Sequence, residues 1–585
     1  MSNRSFKFQS NDFNSFMPEY MGMNGCIATH SNLSAQTAFM IMNNDNGNAF
    51  DAAAGAMLVE SLVNPQMFSL GGESIMIIKP HNKDVTVLNG NTKSPKNFNL
   101  TNLLMQGYRE VPDNGIHSSG VPGVFSSIIN LLKVHGTLSF NEISKYAYEY
   151  AKNGFPIHPG LIFQEGNGLK DLQQKIRKDF PNTKNLYFKN GKLPEPYSIQ
   201  KNIKFADFLN FINNHENKLK LKRIDALDRL HQCFYKGDIA DTIIKHSDQK
   251  NGFLKKSDFE DFSSFFEKPV SKTFGDYTIY KTDTWGQGVT SLMMMAMAKS
   301  KKIYALDNEK NIHHFIEILK LVFADREMYF SGNPKNTVSA QDLIQDKYLN
   351  KRIKLISERA SESLTPGDPL NGNSLMPISN EIKPWGSGTV HIDIIDKEGN
   401  AISCTPSGGW LKANDVVENL GFPLNNRLMT FYMSKPEHIN FALPEMQPRT
   451  TLSPTLCLNK KNKEILVCGT MGGDAQDQWQ SQFLMNYIFD QKSLTNALNM
   501  PRISSEHFPA YFHPHDGNIK QVLLEERLQN FVKPLQKRGH KAISTTDWSE
   551  GFLLCARKKD KIFDAYADIR SYKSQIFQAQ GTCMV

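Results

Sequence analysis

One stretch constrains the fold of this chain more than any other: Gly386-Ser387-Gly388-Thr389-Val390-His391-Ile392-Asp393-Ile394-Ile395-Asp396. A glycine-rich loop runs straight into a segment in which Val390, Ile392 and Ile394 alternate with His391 and Asp393, and a period of two reads as a strand. The turn Lys397-Glu398-Gly399-Asn400 then leads into Ala401 to Thr405 as a hairpin partner. Thr389 gives the pattern chemical content. A chain cut before Thr389 would carry a hydroxyl and a free α-amine on one residue, and an amine titrating near ~7.7–8.0 can take a proton at neutral pH. Gly388, lacking a β-carbon, gives the peptide ahead of Thr389 backbone angles closed to other residues, so the hydroxyl can approach its carbonyl carbon. Taken bare, the same spacing also describes a plain turn before a strand.

Elsewhere the pattern alternates helix and strand. Leu33 to Asn43 and Asn48 to Leu62 read as helices, with Asn64-Pro65 as the stop, and Ser74 to Lys79 and Asp84 to Leu88 read as strands. From Tyr146 to Phe262 the chain is mostly helical and rich in Lys, Asn and Phe, without catalytic pattern, which predicts a helical outer layer. A loop rich in Ser, Pro, Gly and Asn, Ser361 to Gly388, precedes Thr389, and exposed segments of that kind are where chains are cut. Thr451 to Leu458 and Ile465 to Gly469 form a second strand pair. Gly472-Gly473-Asp474 opens a helix with amphipathic spacing at Trp479, Phe483, Leu484 and Ile488.

Several segments, in order, resemble the γ-glutamyltranspeptidase family of N-terminal-nucleophile hydrolases over nearly the whole chain. They are Gly47 to Ala53 through Asn64-Pro65-Gln66 and Gly71-Gly72, then Gly120-Val121-Pro122-Gly123, the Thr389 segment, Arg449-Thr450-Thr451-Leu452-Ser453-Pro454-Thr455, and Gly469-Thr470-Met471-Gly472-Gly473. The resemblance implies an α+β fold of αββα type, two stacked antiparallel sheets between helical layers. It implies a proenzyme that cuts itself between Gly388 and Thr389 into a large chain, 1–388, and a small chain, 389–585. Thr389 would then be the nucleophile and its freed α-amine the base. Ser407 falls where the family sets a hydroxyl beside the nucleophile, and Gly472 and Gly473 match the glycine pair whose N–H groups hold the oxyanion.

The same comparison assigns substrate contacts. Thr450 and Thr451 stand where the family has two serines at the substrate α-carboxylate. Asn91 replaces the arginine that grips that carboxylate, while Arg427 and Thr430 replace the glutamine and aspartate at the α-amino group, and Gly409 replaces a further amide. The ammonium of a glutamyl group therefore has no evident carboxylate partner. Lys93, Arg427 and Arg449 would instead form a cationic pocket for a carboxylate placed differently. The expected substrate is a γ-glutamyl or related small amide, with water or an amine as acceptor. The alternatives are an acylase on non-glutamyl, oxamate-like amides, and an uncleaved protein using the cleft only to bind.

Composition removes other classes. The 585 residues carry 67 basic and 59 acidic side chains, net +8, and the Lys-rich run Lys218 to Arg223 is interleaved with Leu as on a solvated helix face, so no nucleic-acid partner is expected. The N-terminal residues lack the apolar stretch of a secretory signal, and Ser291 to Ala298 is far shorter than the ~20 residues a membrane span takes. Seven scattered cysteines predict reduced thiols. A cytoplasmic protein without membrane anchor, metal or cofactor is expected. His513-Pro514-His515-Asp516 has metal-ligand residue types in a turn, and His313-His314, adjacent on a helix, would face apart. No Gly-x-Ser-x-Gly elbow and no phosphate-binding glycine loop is present.

Overall fold

The structure, a computed structural model, describes residues 20–217, 221–371, 388–574 and 577–584. Two seven-stranded sheets lie face to face. The first runs Gln580–Met584, Gly25–Thr29, Ile392–Asp396, Ala401–Ser407, Glu73–Lys79, Thr86–Gly90 and Phe265–Glu267. The second runs Tyr20–Gly22, Ile562–Ala567, Leu554–Lys559, Glu464–Gly469, Thr455–Asn459, Tyr277–Lys281 and Val270–Phe274. Every neighbouring pair within them is antiparallel. Ile392–Asp396 and Ala401–Ser407 pack on Glu464–Gly469 across the sandwich, so the hairpin predicted after Thr389 lies at its centre. Both hairpin strands are buried throughout, because each is covered on one face by the other sheet and on the opposite face by helix.

Helices close the outer faces. Ala49–Val63 packs on the two hairpin strands and is buried at every residue, as its run of alanines allows. On the far side Val289–Ser300 covers Val270–Phe274 and Tyr277–Lys281, and Gln476–Leu484 covers Glu464–Gly469. The four-layer αββα order expected from the family resemblance is thus the architecture of the chain. The predicted helices at 33–43 and 48–62 are found as Asn32–Asn43 and Ala49–Val63, and the stretch from Tyr146 to Phe262 is largely helical, with Ile203–Asn217 and Arg223–Tyr235 packed outside the first helical layer. Residues 361–371 contain neither helix nor strand, while residues 372–387 of the predicted cleavage loop, and 218–220 of the Lys-rich run, lie outside the described residues. Arg223, at the end of that run, is not solvated as expected, since its guanidinium donates to the carbonyls of Leu138 and Leu132. No described helix is long and apolar enough to cross a membrane, and all seven cysteines are free thiols.

The helix Ala49–Val63 holds two buried acids, Asp51 in its first turn and Glu60 near its end. Glu60 accepts hydrogen bonds from Ser34 Oγ at 2.6 Å and Asn64 Nδ2 at 2.7 Å, which ties Ala49–Val63 to Asn32–Asn43. Burial pushes its carboxyl up from 4.5 to about 7, against the pull of those hydrogen bonds. Between these values the folded protein holds a proton that the unfolded chain has released, so this group's stabilisation is complete below 4.5 and is lost as pH rises through 7. Glu60→Gln removes that titration. Urea unfolding at a series of pH values is expected to show the parent losing about 3 kcal/mol relative to the variant across this window; parallel stability curves would overturn the assignment.

Candidate active site

Strand register assembles the site. Thr389 forms a bridge with Ser407, and Ser407 is in turn the register partner of Glu73 on the next strand. One strand further, Ser74 faces Gly90, which precedes Asn91. Four residues distant in sequence therefore stand in a row at one end of the first sheet. Gly72, immediately before Glu73, approaches so closely that a β-carbon would stand 2.1 Å from Ser407 O, so only glycine fits there.

At the centre of the row the hydroxyls of Thr389 and Ser407 converge on the Gly388 carbonyl. Thr389 Oγ1 lies 2.8 Å and Ser407 Oγ 2.6 Å from that oxygen, and the two hydroxyls are 3.1 Å apart. Two hydroxyl protons cannot serve three contacts. When Thr389 donates to Ser407 and Ser407 donates to the carbonyl, the carbonyl is polarised and the Thr389 oxygen keeps its lone pairs free. Both side chains are buried. A β-carbon on Gly388 would stand 3.1 Å from Gln66 O and 3.2 Å from Met67 Cα, so close packing is a further reason for glycine at this point.

Beside this pair sits an acid that the sequence reading missed. Glu73 Oε1 accepts from Thr450 Oγ1 at 2.9 Å and lies 3.0 Å from Arg427 Nε. Its signal is a carboxylate directly after Gly71-Gly72, opening a strand whose centre, Ile75 to Ile78, is apolar. The expectation that no carboxylate faces this region is therefore corrected. The uniformly cationic pocket is corrected with it: Arg427 pairs with Glu73, Arg449 Nη2 pairs with Glu327 Oε1 at 2.8 Å, and Lys93 lies 3.9 Å from Glu445 in a half-exposed position. What survives is a set of unused donors. Arg427 Nη2 and Arg449 Nη1 are buried without a hydrogen-bond partner, as is Thr451 Oγ1. The Arg427 guanidinium also lies 5.0 Å from the Trp410 ring centre and 5.7 Å from that of Phe512, neither of which the sequence singled out.

The remaining expected contacts hold other residues in place. Asn91 Nδ2 donates to Pro448 O at 2.6 Å, fixing the segment that carries Arg449, Thr450 and Thr451. Thr430 donates to the Arg427 carbonyl, and a β-carbon on Gly409 would fall 2.1 Å from Ser69 Oγ.

The glycine pair lies at the end of Glu464–Gly469. Gly472 and Gly473 both take positive φ, 122° and 55°, and the Trp479 ring packs where a Gly472 side chain would be. Among the described residues neither amide donates to a turn, loop or cap hydrogen bond, so both N–H groups are free to meet an anion. Asp474 bonds Arg326, Arg326 bonds Glu327, and Glu327 bonds Arg449, so one ionic chain joins the turn to the Thr450 segment. Burial pushes the Glu327 carboxyl up, but Arg449 and Arg326 together hold it well below the usual carboxylate range. The helix after the turn differs from expectation. Gln476–Leu484 is buried on every face rather than half-solvated, because its polar side chains are spent inside: Gln480 on Ser453 O, Gln482 on Ile503 O, and Asp477 on Lys281.

Two histidine groups were weighed as metal ligands. His515 is buried with its nitrogens 3.1 Å from Ala510 O and 3.2 Å from Phe431 O, stacked on Tyr432, and burial pushes it down to about 3. The His313 and His314 rings lie 5.6 Å apart, centre to centre, rather than facing away from each other, and it is Glu317 and His540 that His313 meets with ligand atoms within 4.8 Å. There His313 Nδ1 is 2.8 Å from His540 Nε2, and the Lys320 ammonium is 2.7 Å from Glu317 Oε1. That ammonium already neutralises the acid and would repel a cation, so this is a hydrogen-bonded network.

The family model described as gamma-glutamyltranspeptidase matches residues 34–577. The chain belongs to the γ-glutamyltranspeptidase family. Its relatives include the glutathione hydrolase-like YwrD proenzyme of Bacillus subtilis, 26% identical over 493 residues that cover 82% of this chain and 85% of that one. Another is the oxamate amidohydrolase proenzyme of Klebsiella pneumoniae, 23% identical over 488 residues, covering 81% and 84%. The solved structure of LmbA2991HD matches with a TM-score of 0.88 at 26% identity, covering 97% of this chain and all of the other. A cephalosporin acylase from Bacillus halodurans shares the fold with a TM-score of 0.82 at 24% identity and 99% coverage of both chains. As a member of the γ-glutamyltranspeptidase family the protein is an enzyme of the amide hydrolase and acyltransferase type, on an N-terminal-nucleophile hydrolase fold.

The Glu73–Arg427 pair yields a test. Removing one partner of a buried ion pair costs about 3–5 kcal/mol, whereas removing both together costs much less. In denaturant unfolding, Glu73→Gln/Arg427→Met is expected to be more stable than Arg427→Met alone; a double variant as unstable as the summed singles would mean the two charges are not coupled.

Proposed function

We propose that the chain is a self-cleaving proenzyme whose mature form hydrolyses or transfers the acyl group of a γ-glutamyl or related small amide through an ester on Thr389. The observation that carries this reading is the Thr389 hydroxyl held against the Gly388 carbonyl with Ser407 beside both. In the processing step Thr389 Oγ1 bonds to the Gly388 carbonyl carbon, the peptide C–N bond breaks, and the hydroxyl proton passes to the departing nitrogen, which becomes the α-amine. Water then cleaves the ester and leaves a carboxylate on Gly388. The products are chains 1–388 and 389–585.

In the mature enzyme the α-amine takes the Thr389 hydroxyl proton as that oxygen attacks the substrate amide, and returns it to the leaving nitrogen. Gly472 and Gly473 supply N–H donors to the oxyanion, and water or an amine resolves the acyl-enzyme. On the acyl side Thr450, Thr451, Arg427 and Arg449 form the wall, with Asn91 positioning it.

A second reading of the substrate has its own support. Arg427 Nη2 is a buried donor without a partner, on an arginine whose Nε is already paired with Glu73. That favours an acyl group carrying a carboxylate, as in the oxamate-type amides named for one relative, and it leaves no free acid for a glutamyl ammonium.

Denaturing gels with intact mass and N-terminal sequencing test the reading. Two fragments are expected, the smaller starting at Thr389; Thr389→Ala should remain whole, and Thr389→Ser should still cut. Ser407→Ala is expected to slow processing about 10²-fold, the usual effect of losing one donor to a developing oxyanion. An intact parent chain under all conditions would leave only a binding role for the cleft. Given cleavage, equal turnover of a γ-glutamyl anilide and a neutral anilide would remove the acyl-side assignment.

A further inference from the structure

Beyond the glycine turn lies a cavity of about 340 Å³ that the mechanism above does not use. Gly472 and Gly473 form part of its wall, and so does Phe512, whose ring centre lies 5.7 Å from the Arg427 guanidinium. Thr389 is not in the wall. The cavity therefore joins the surroundings of the nucleophile through two members, one at the oxyanion position and one at the acyl wall.

Its lining has one sign of charge. Asp474, Glu506, Asp516 and Glu550 contribute to it, and no Lys, Arg or His does. Asp474 is neutralised by Arg326 from behind. Glu506 is held by the side-chain amides of Asn518 at 2.6 Å and Gln521 at 2.7 Å, both neutral donors. Glu550 is 6% exposed; its Oε2 takes the Ser504 hydroxyl, and burial pushes its carboxyl up from 4.5 to about 7 against the pull of Ser504 and Trp479, so that a bound ammonium would draw it back to the charged form. Ser504 in turn accepts from Trp479 Nε1 at 2.8 Å, and the Trp479 ring is the one packed under Gly472. The acid is thereby tied to the turn by two hydrogen bonds and a ring contact. Trp479, Phe508 and Phe512 supply aromatic surface in the same wall.

Carboxylates set among aromatic faces in a partly desolvated pocket are the chemistry that holds an organic ammonium. An amide substrate extends from the oxyanion carbon in two directions, the acyl group one way and the amine the other. The acyl direction is occupied by the Arg427 and Thr450 wall. We propose that this cavity is the subsite for the amine part of the substrate, departing or accepting, and that it selects diamine-like amines whose second, unreacting ammonium sits between Glu550 and Glu506. The inference rests on the Thr389 reading for the direction of the amine, but the binding itself does not require turnover.

Calorimetric titration of the full chain with 1,4-diaminobutane and with butylamine tests it. The diamine is expected to bind at least about tenfold more tightly than the monoamine, the worth of one charge-assisted contact, and Glu550→Gln should erase most of that ratio. Glu506→Gln, at a more solvent-facing acid, provides the same test should the first variant fold poorly. Equal binding of the two amines, or a ratio unchanged in both variants, would overturn the proposal. Thr389→Ala separates the two readings: it should abolish processing and keep the diamine preference, so loss of processing in the parent and loss of amine selectivity are independent failures.

Discussion

The antiparallel register at the end of the first sheet is the constraint on which the site depends. A slip of one residue in a strand turns every side chain to the opposite face. Thr389 opposite Ser407, and Ser407 opposite Glu73, therefore require the hairpin between Asp396 and Ala401 to close in one way only. Asp396 provides the closure. Its Oδ1 accepts from the amides of Gly399 and Asn400, and its Oδ2 accepts from the Asn400 side chain and from Ala49 N at the start of the central helix. One carboxylate thus fixes the turn that sets the register and anchors the helix that covers both strands. The reactive end is set by chemistry at the other end of the hairpin.

Charge then sorts the residues around the proposed site into an arginine-bearing wall and an acidic cavity. Glu73 shares Arg427, and Glu327 shares Arg449 with Arg326, so neither arginine is a bare cation. A substrate carboxylate reaching Arg427 must compete with a ligand that is already desolvated and paired. Its binding gains less than a contact to a lone guanidinium would give, and geometry rather than net charge has to discriminate among acyl groups. In the cavity beyond the glycine turn the order reverses: among the described residues its wall carries carboxylates and no cation, and Asp474 is paired with Arg326, which lies outside the lining. Arg326 is the hinge between the halves, since it touches both Glu327 and Asp474.

What could be read from the sequence is local. The alternation after Thr389, the turn at Lys397 to Asn400, the helix over 48–62 with its stop at Asn64-Pro65 and the glycine pair Gly472-Gly473 ahead of a helix each declare themselves within a few residues. The partners of the buried charges do not. Glu73 meets Thr450 across 377 residues, and Arg449 meets Glu327 across 122. Surface lysines and arginines look the same in sequence as these buried ones, which is why a cationic pocket was expected where ion pairs are found. The helix Gln476–Leu484 failed for a related reason: glutamines that read as a solvated face spend their amides on neighbouring backbone carbonyls inside the fold. Fold class followed from the motifs because those motifs are the turns and strand ends that the sandwich is built around.

Thr389 and the glycine turn belong to different sheets, and a single side chain sets the distance between them. His391, two residues after Thr389, points into the sandwich, where its Nδ1 is 2.9 Å from Thr405 Oγ1 and its Nε2 2.9 Å from Asp393 Oδ1. Its ring lies against Gly469, where a β-carbon would stand 2.2 Å from the imidazole. Gly469 ends the strand that leads through Thr470 and Met471 into Gly472-Gly473. Burial pushes the Asp393 carboxyl up, and the adjoining imidazole opposes that, so the pair is held together inside a dry interior. The strand carrying Thr389 and the strand carrying the turn can approach only as far as this imidazole permits, and they can come that close only because residue 469 has no side chain. The spacing between Thr389 and the glycine turn is therefore a property of sheet-on-sheet packing, and a larger residue at 469 would move the turn without touching Thr389, Gly472 or Gly473.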